Sequence, residues 1–250
     1  MRIEVYFSPN SLAPNELAGR TVAVVDLLRA STTIAVALAA GAKEILPAAS
    51  TEEALRIAQN LERDQVVLAG ERKSVRIEGF ALGNSPAEFT PEVVGGKTVV
   101  LTTTNGTQAL LAAQGAKEVV VAAAVNFTAV VQRLRPALEA SGDLVILCSG
   151  HDRRFALEDA FAAGRIAKVL LPEGGLRRVR VNDGALAALE IARHFGEKWL
   201  RALRASRHGQ ELAALGFSDD LRACATQDSH PVVPLFADHR ITAHRPAPEG

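Results

Sequence analysis

Two stretches of this chain place polar and charged groups directly after a β-branched segment. The first follows residues 21–25 and carries Asp26 and Arg29, and the second follows residues 98–102 and carries Asn105 and Gly106. Each polar turn leads into an Ala-rich segment that ends in Gly-Ala-Lys-Glu. Backbone N–H groups and the helix dipole favour anions at such strand-turn-helix junctions. The two turns therefore predict a site for phosphate or carboxylate groups.

Charged residues in later turns extend this chemistry towards phosphoryl transfer. Carboxylates are the hard oxygen ligands that Mg²⁺ prefers, together with water and substrate oxygens. Guanidinium groups bind phosphate or carboxylate in a bidentate manner, and Ser, Thr and turn N–H groups hold further oxygens. Phosphoryl transfer needs this combination of positioning and charge neutralisation. The residues that supply it are the carboxylates Asp26, Glu71, Glu158 and Asp159 and the arginines Arg29, Arg72 and Arg154.

Each of these residues also has a purely structural interpretation. Asp26 at a strand end is typical of a helix cap. Glu158 and Asp159 fall early in a predicted helix, where acidic side chains stabilise the dipole, and neighbours on a helix point about 100° apart. Only their coincidence at successive strand ends points to a site.

Sequence patterns exclude some phosphate chemistries and leave two alternatives open. The chain has neither a Gly-x-x-x-x-Gly-Lys-[Ser/Thr] loop nor a Gly-x-Gly-x-x-Gly motif after a strand, which argues against P-loop and dinucleotide sites. Cys148 and Arg154 have the Cys-x₅-Arg spacing of a metal-free cysteine phosphatase, in which a thiolate attacks phosphorus. A non-catalytic binder of anionic metabolites would use the same turns.

Bulk composition limits the partners and the cellular setting. The 250 residues carry no net charge and only 4% are aromatic, which gives no support for nucleic acid or an anionic membrane. Two cysteines fit a reducing compartment. The sequence has no apolar run that approaches a membrane span, and its first residues lack a signal-peptide core. We therefore predict a cytoplasmic protein.

Strand-like and helix-like segments alternate along the chain, which predicts an α/β fold with a largely parallel sheet. One domain is expected over residues 1–242, followed by a loose tail at 243–250. The strand segments are 2–7, 21–26, 44–47, 66–69, 97–102, 118–122, 144–148 and 178–181. The helix segments are 31–40, 51–63, 105–113, 126–140, 156–170, 183–195, 197–204, 209–215 and 218–224.

The motifs resemble those of the 2-phosphosulfolactate phosphatase (ComB) family, in order and over nearly the whole chain. The runs that carry the resemblance are Asp26-Leu-Leu-Arg-Ala-Ser-Thr-Thr33, Gly70-Glu-Arg72, Gly79-Phe-Ala-Leu-Gly-Asn-Ser-Pro86, Thr102-Thr-Thr-Asn-Gly-Thr107, Arg154-Phe-Ala-Leu-Glu-Asp159, Asp183-Gly-Ala-Leu-Ala-Ala-Leu189, Ser206-Arg-His208-Gly209 and Val232-Val-Pro234.

This resemblance implies a Mg²⁺-dependent phosphatase that converts 2-phospho-3-sulfolactate to 3-sulfolactate and phosphate, a step of coenzyme M biosynthesis. It also implies a three-layer α/β/α fold with a parallel or mixed sheet, two possible subdomains that divide near residue 140, and a possible homodimer. The host's substrate could be another small phosphorylated hydroxy acid. The attacking group stays open between a metal-activated water and a covalent enzyme intermediate.

Roles for individual residues follow from the matched motifs and their chemistry. The expected metal ligands are Asp26, Glu71, Glu158 and Asp159. The expected catalytic residues are Asp26, Arg29, Glu71, Arg72 and Arg154. Substrate binding is assigned to Ser31, Thr32, Asn84, Ser85, Thr103, Asn105, Gly106, Thr107 and His208. Residues 72–76 are more basic and less Gly-rich than this family pattern suggests, and residues 151–153 are also atypical. Either segment could shift the preferred anion.

Overall fold

The computed structural model describes residues 1–152 and 154–244, and they form an α/β fold with a mixed sheet between helical layers. Arg153 and residues 245–250 lie outside the described residues. The strands are β1 Arg2–Tyr6, β2 Thr21–Val25, β3 Glu44–Pro47, β4 Val66–Arg72, β5 Val75–Arg76, β6 Thr98–Thr102, β7 Glu118–Ala122, β8 Asp143–Cys148, β9 Arg180–Val181, β10 Val233–Ala237 and β11 Arg240–His244. The helices are α1 Ala30–Ala39, α2 Thr51–Gln59, α3 Pro91–Val94, α4 Gly106–Ala112, α5 Phe127–Ser141, α6 Leu157–Leu170, α7 Asp183–Phe195, α8 Trp199–Ala205, α9 Arg207–Ala214 and α10 Ser218–Cys224.

The sheet consists of two parallel blocks joined by an antiparallel hairpin. Its strand order is β5-β4-β6-β3-β11-β10-β7-β2-β8-β1-β9. Strands β4, β6 and β3 are mutually parallel, and so are β7, β2, β8, β1 and β9. The hairpin β10–β11 pairs antiparallel with both neighbours. Three antiparallel strand pairs therefore lie between β3 and β7. As a result, the strands of one parallel block point in the direction opposite to those of the other block.

Helices cover both faces of this sheet, as a three-layer fold requires. One core contains alternate residues of β1, β2 and β8 packed against α5, α6 and α7, and it includes Ile3, Val25 and Phe161. The other core contains the opposite residues of β2 and β8, together with residues of β3, β4 and β6, packed against α1 and α4. The β-branched strands β2 and β6 are buried along their whole length, which is typical of strands covered on both faces.

The predicted α/β fold is confirmed, and its main departure from the sequence analysis lies at the C-terminus. The hairpin β10–β11 was not predicted, and Ala243 and His244, assigned to a loose tail, lie in β11. Their backbone groups are held by pairing with β10. Strands from both sides of residue 140 share the one sheet. None of the helices in the described part of the chain has the length and apolar content needed to cross a bilayer.

Candidate active site

A narrow cavity of about 30 Å³ lies where the turns after β2, β6 and β8 meet the β4–β5 hairpin and the start of α9. Both parallel blocks contribute to it, so the polar turns converge between two blocks and not along the edge of one parallel sheet. Seven residues predicted from the sequence line this inner cavity: Asp26, Arg29, Glu71, Asn84, Thr103, Asn105 and His208.

Asp26 lines the inner cavity and is fixed by the start of α1. Its Oδ1 accepts a hydrogen bond from the Ala30 N–H at 3.0 Å, and its own N–H donates to Ser31 Oγ at 2.9 Å. The side chain is 6% exposed. Burial raises the pKa of this carboxyl, and the nearby Glu71 charge acts in the same direction, whereas the Ser149 hydroxyl and the charge of His208 oppose it.

Gly106 lets the second polar turn approach the first. A Cβ atom at this position would lie 2.7 Å from Asp26 Oδ2 and 2.5 Å from the Ala30 Cβ atom. Both distances are far below ordinary van der Waals contact. The polar turns after β2 and β6 are therefore packed against each other at the Asp26 carboxylate. Any larger residue at position 106 must displace this carboxylate.

Glu71 ties the β4–β5 hairpin to the second turn. Its Oε1 accepts from the Thr104 N–H at 2.7 Å, and its Oε2 accepts from the Ser74 N–H at 2.7 Å and from Thr104 Oγ1 at 3.1 Å. Both carboxylate oxygens thus bind loop N–H groups. The residue lines the cavity, and its contacts hold two loops together.

Asn84 presents an unsatisfied amide to the inner cavity. The residue is 5% exposed, and its Oδ1 atom is buried without a hydrogen-bond partner among the described residues. A buried polar atom of this kind is costly unless a ligand or water satisfies it. This observation supports the predicted substrate-binding role of Asn84.

Two histidines separate the inner cavity from a larger, outer cavity of about 420 Å³. The rings of His151 and His208 stack with centroids 4.3 Å apart, and both residues line both cavities. His208 Nδ1 lies 3.3 Å from Glu158 Oε1, and His151 Nε2 lies 2.9 Å from Glu211 Oε2. Arg154 is exposed and lines only the outer cavity, together with Glu158.

Asp159 binds the turn after β2 and the turn after β8 through its carboxylate. Its Oδ1 accepts from the Leu27 N–H at 2.8 Å, and its Oδ2 accepts from Ser149 Oγ and the Gly150 N–H at 3.1 Å each. Burial raises the pKa of Asp159 well above its usual range, and the charges of Asp26 and Glu158 add to this effect. Three buried carboxylates therefore share one region.

The remaining predicted substrate-binding residues, and Arg72, hold the turns together and do not line the inner cavity. Their hydrogen bonds run from Thr32 Oγ1 to the Leu27 carbonyl, from Ser85 Oγ to Asp220, from Thr107 Oγ1 to the Thr103 carbonyl and from Arg72 Nη2 to Thr102 Oγ1, while Ser31 Oγ accepts from the Asp26 N–H. These side chains shape the loops, and the structure places none of them where it would meet a ligand in the inner cavity.

Two of the four predicted metal ligands keep a carboxylate oxygen that no backbone N–H binds in the described structure. Among the described residues, no three His, Cys, Asp or Glu side chains are grouped as a metal site. Both oxygens of Glu71 and Asp159 already bind protein donors. Asp26 Oδ2 and the second oxygen of Glu158 are free of backbone N–H donors in the described structure. Mg²⁺ often takes only one or two carboxylates and completes its shell with water and substrate oxygens, so Asp26 and Glu158 are the predicted ligands whose chemistry is compatible with such a site.

The geometry does not support a cysteine phosphatase. Cys148 is fully buried at the end of β8 and lines neither cavity. Burial, followed by the charges of Asp159 and Glu158, raises the pKa of its thiol well above the usual range. A cysteine nucleophile requires the opposite, because the thiolate is the reactive form.

Several residues of the site were not predicted from the sequence. His151 stood out only as atypical, and Lys73, Ser74 and Thr104 also line the inner cavity. Asp220, which pairs with Arg29, lies 191 positions further along the chain. An acidic residue at the start of a short helix carries no signal for such a contact.

Comparison with known proteins adds an independent finding. A family model described as 2-phosphosulpholactate phosphatase matches residues 6–239. A probable 2-phosphosulfolactate phosphatase from Symbiobacterium thermophilum is 42% identical over 226 residues, which is 90% of this chain and 95% of the relative. Proteins of the same printed name from Deinococcus radiodurans and Caldanaerobacter subterraneus are 42% and 36% identical, and each alignment covers 94% of this chain and 93% and 95% of the relative, respectively.

Proposed function

Because this chain belongs to the 2-phosphosulpholactate phosphatase family, we propose that it hydrolyses 2-phospho-3-sulfolactate, or a similar small phosphorylated hydroxy acid, to the hydroxy acid and phosphate. The family predicted from the motifs, and with it a phosphoric monoester hydrolase, is confirmed by these matches. We further propose that the reaction depends on Mg²⁺ and belongs to a pathway of the coenzyme M biosynthesis type.

The observation that supports this proposal best is the meeting of Asp26, Arg29 and the unsatisfied Asn84 amide in one cavity. Arg29 offers N–H donors to phosphate oxygens, and the unsatisfied Asn84 Oδ1 would accept from a water or a protonated substrate oxygen. Asp26 would repel an anion if it stood alone, so its presence beside the anion-binding groups favours a metal-assisted reaction over simple anion binding.

Bound Mg²⁺ would neutralise charge on the phosphate and so favour nucleophilic attack. Asp26 and Glu158 would hold it. His208 would keep Glu158 oriented and offer its ring to a substrate oxygen at the boundary between the two cavities. Asp159 fixes the Leu27 and Gly150 N–H groups and so holds the turns around the reacting phosphate.

The two cavities suit a substrate with more than one anionic group. The inner cavity is small and contains the phosphate-binding groups, whereas the outer cavity is larger and contains Arg154. We propose that the phosphate ester enters the inner cavity and that the sulfonate or carboxylate points towards Arg154. Such a substrate would explain why basic residues occur at both cavities.

The decisive experiment is a phosphate-release assay with the purified chain on 2-phospho-3-sulfolactate, with 2-phospholactate as a comparison that lacks the sulfonate. We expect release with Mg²⁺, loss of release after EDTA treatment, and recovery when Mg²⁺ is restored. Full activity in EDTA would contradict the metal proposal. Ligand binding in calorimetry with no release under any divalent metal would support a non-catalytic binder instead.

We also propose a cellular compartment and an oligomeric state for this protein. Both cysteines are buried free thiols, which supports a reducing compartment such as the cytoplasm. A homodimer that contacts neither nucleic acid nor membrane is the assembly we propose, and size-exclusion chromatography with light scattering would test it.

A further inference from the structure

Arg29 is a buried guanidinium whose orientation is fixed on three sides. Its Nη1 donates to Asp220 Oδ2 at 2.6 Å, and its Nη2 donates to the Ser74 carbonyl at 3.0 Å. The Phe217 ring covers its flat face, with 4.4 Å between the guanidinium carbon and the ring centroid. Because a guanidinium is planar and carries five N–H donors, these contacts fix its plane and leave other N–H groups for a ligand in the inner cavity.

Asp220 is the residue that joins these contacts. It lies in the first turn of α10, is 5% exposed and does not line the inner cavity. One of its oxygens accepts from Arg29, and the other accepts from Ser85 Oγ at 2.7 Å. Ser85 directly follows Asn84, whose amide faces the cavity. Asp220 therefore links α10 to two separate turns of the site.

The position of this carboxylate behind Arg29 has an electrostatic consequence. A carboxylate that faced the cavity would repel a phosphate group. Asp220 instead contacts the far side of the guanidinium, and the buried ion pair satisfies the Arg29 charge in a fixed geometry. If one partner of such a pair is removed, the other loses both its orientation and its charge partner.

We propose that Asp220 is a positioning residue for the phosphatase reaction and that it acts through Arg29. It orients the guanidinium towards the phosphate group of the substrate, while Ser85 holds the Asp220 carboxylate in the correct rotamer. This inference rests on the proposed function, because it assumes that Arg29 binds the phosphate group in the inner cavity.

The test is a double-mutant cycle between Asp220→Asn and Arg29→Met, measured by kcat, KM and the affinity for inorganic phosphate in calorimetry. We expect Asp220→Asn to lower kcat/KM by about tenfold or more, mainly through KM, and to weaken phosphate binding to a similar extent. In the Arg29→Met background the same substitution should change both quantities less than about twofold, since its route of action is gone.

The neighbouring Asp219→Asn variant is the matched control. Asp219 is 94% exposed and pairs with Arg222 on the protein surface, so its loss should leave kcat, KM and phosphate affinity unchanged. Thermal unfolding of every variant separates a local effect from loss of the fold. If Asp220→Asn does not fold, Ser85→Ala removes only the second contact of Asp220, and it should raise KM several-fold with Arg29 present and not with Met at position 29.

Additive effects of Asp220→Asn and Arg29→Met on both KM and phosphate affinity would overturn the inference. So would an unchanged KM in a folded Asp220→Asn variant. A wild-type chain that binds phosphate without turnover would contradict the proposed function alone, and the calorimetric cycle would still decide whether Asp220 acts through Arg29.

Discussion

His208 and Glu158 form a buried pair at the boundary between the two cavities, with 3.3 Å between Nδ1 of the imidazole and Oε1 of the carboxylate. Burial disfavours the charged imidazole, but the hydrogen bond and charge of Glu158 outweigh this effect and raise the pKa of His208. The second carboxylate oxygen remains available for a metal ion. The pair thus connects the proposed metal ligand Glu158 to a ring that lines both cavities.

We expect His208→Asn to lower kcat/KM by about tenfold or more, which corresponds to about 1.4 kcal/mol of lost transition-state stabilisation. The substitution removes the contact that orients Glu158 and the ring at the cavity boundary. Steady-state phosphate release measures the effect. His239→Asn is the control, because His239 is exposed in the β10–β11 turn with a positive φ of 58° that Asn tolerates. Equal activity of both variants would contradict a role for His208.

Gly106→Ala should reduce turnover strongly while the chain still folds. The added methyl group would meet Asp26 Oδ2 and the Ala30 Cβ atom at distances below 3.0 Å, so the carboxylate must move from its present position. We expect kcat to fall by at least about tenfold, because misplacement by about 1 Å can cost two orders of magnitude. The control is Gln108→Ala, an exposed substitution in the same helix. Wild-type kcat in Gly106→Ala would show that the close approach does not matter for activity.

The sequence predicted the strand-turn-helix units well because their signals are local. The helix segment 51–63 was predicted, and α2 begins there with Ser50 as its cap, since the Glu53 N–H donates to Ser50 Oγ at 3.1 Å. Strands β2, β6 and β8 were also found where their apolar runs lie. The hairpin β10–β11 was missed because Pro234 falls inside the first of its strands and both strands are half-exposed. Its place in the middle of the sheet depends on pairing with β7 and β3, which are distant in sequence.

The site was predicted in composition and less completely in geometry. Asp26 and Arg29 follow the end of β2, where the rule that strand ends collect polar turns places a ligand site. Asn84 reaches the same cavity from the loop after β5 in the other block, which this rule does not predict. The sequence could not predict that the hydroxyl groups of Thr32 and Thr107 donate to backbone carbonyls of their own loops. A threonine that binds a loop carbonyl and one that binds a ligand look the same in a sequence. Asp220 and His151 were missed because their contacts depend on how α9 and α10 pack against the turns of the site.

Cys148→Ala should remain active. The thiol is fully buried beside carboxylates that disfavour its ionised form, so it cannot serve as a nucleophile. We expect kcat and KM within about twofold of wild type and a loss of roughly 1 kcal/mol in the free energy of unfolding, measured by urea denaturation. Cys224→Ala is the matched control, since burial raises the pKa of that thiol to about 12. Loss of activity in a folded Cys148→Ala variant, with Cys224→Ala active, would favour the cysteine mechanism.

Asp143 is the first residue of β8 and binds arginines at the starts of β1 and β2. These contacts lie at the end of the strands opposite the turns that form the site. Arg20 donates to it through Nε at 2.6 Å and Nη2 at 2.8 Å, and Arg2 donates through Nε at 2.9 Å and Nη2 at 3.0 Å. Burial opposes the charged form, but these hydrogen bonds and charges outweigh it and lower the pKa of Asp143. The folded state thus binds a proton at this group less readily than the unfolded chain.

This shift predicts how stability depends on pH. A carboxyl whose pKa is lowered on folding contributes stability above its unfolded pKa of about 3.9, and the contribution disappears as the pH falls through the lower folded value. We expect Asp143→Asn to lower the free energy of unfolding by roughly 1 to 3 kcal/mol at about pH 7, and this difference from wild type to shrink towards about pH 3. Urea denaturation across this range measures it. The exposed Asp64→Asn variant is the control, and its free energy of unfolding should match wild type throughout. If the loss of unfolding free energy in Asp143→Asn stays constant with pH, lost packing and not the charge on Asp143 causes it.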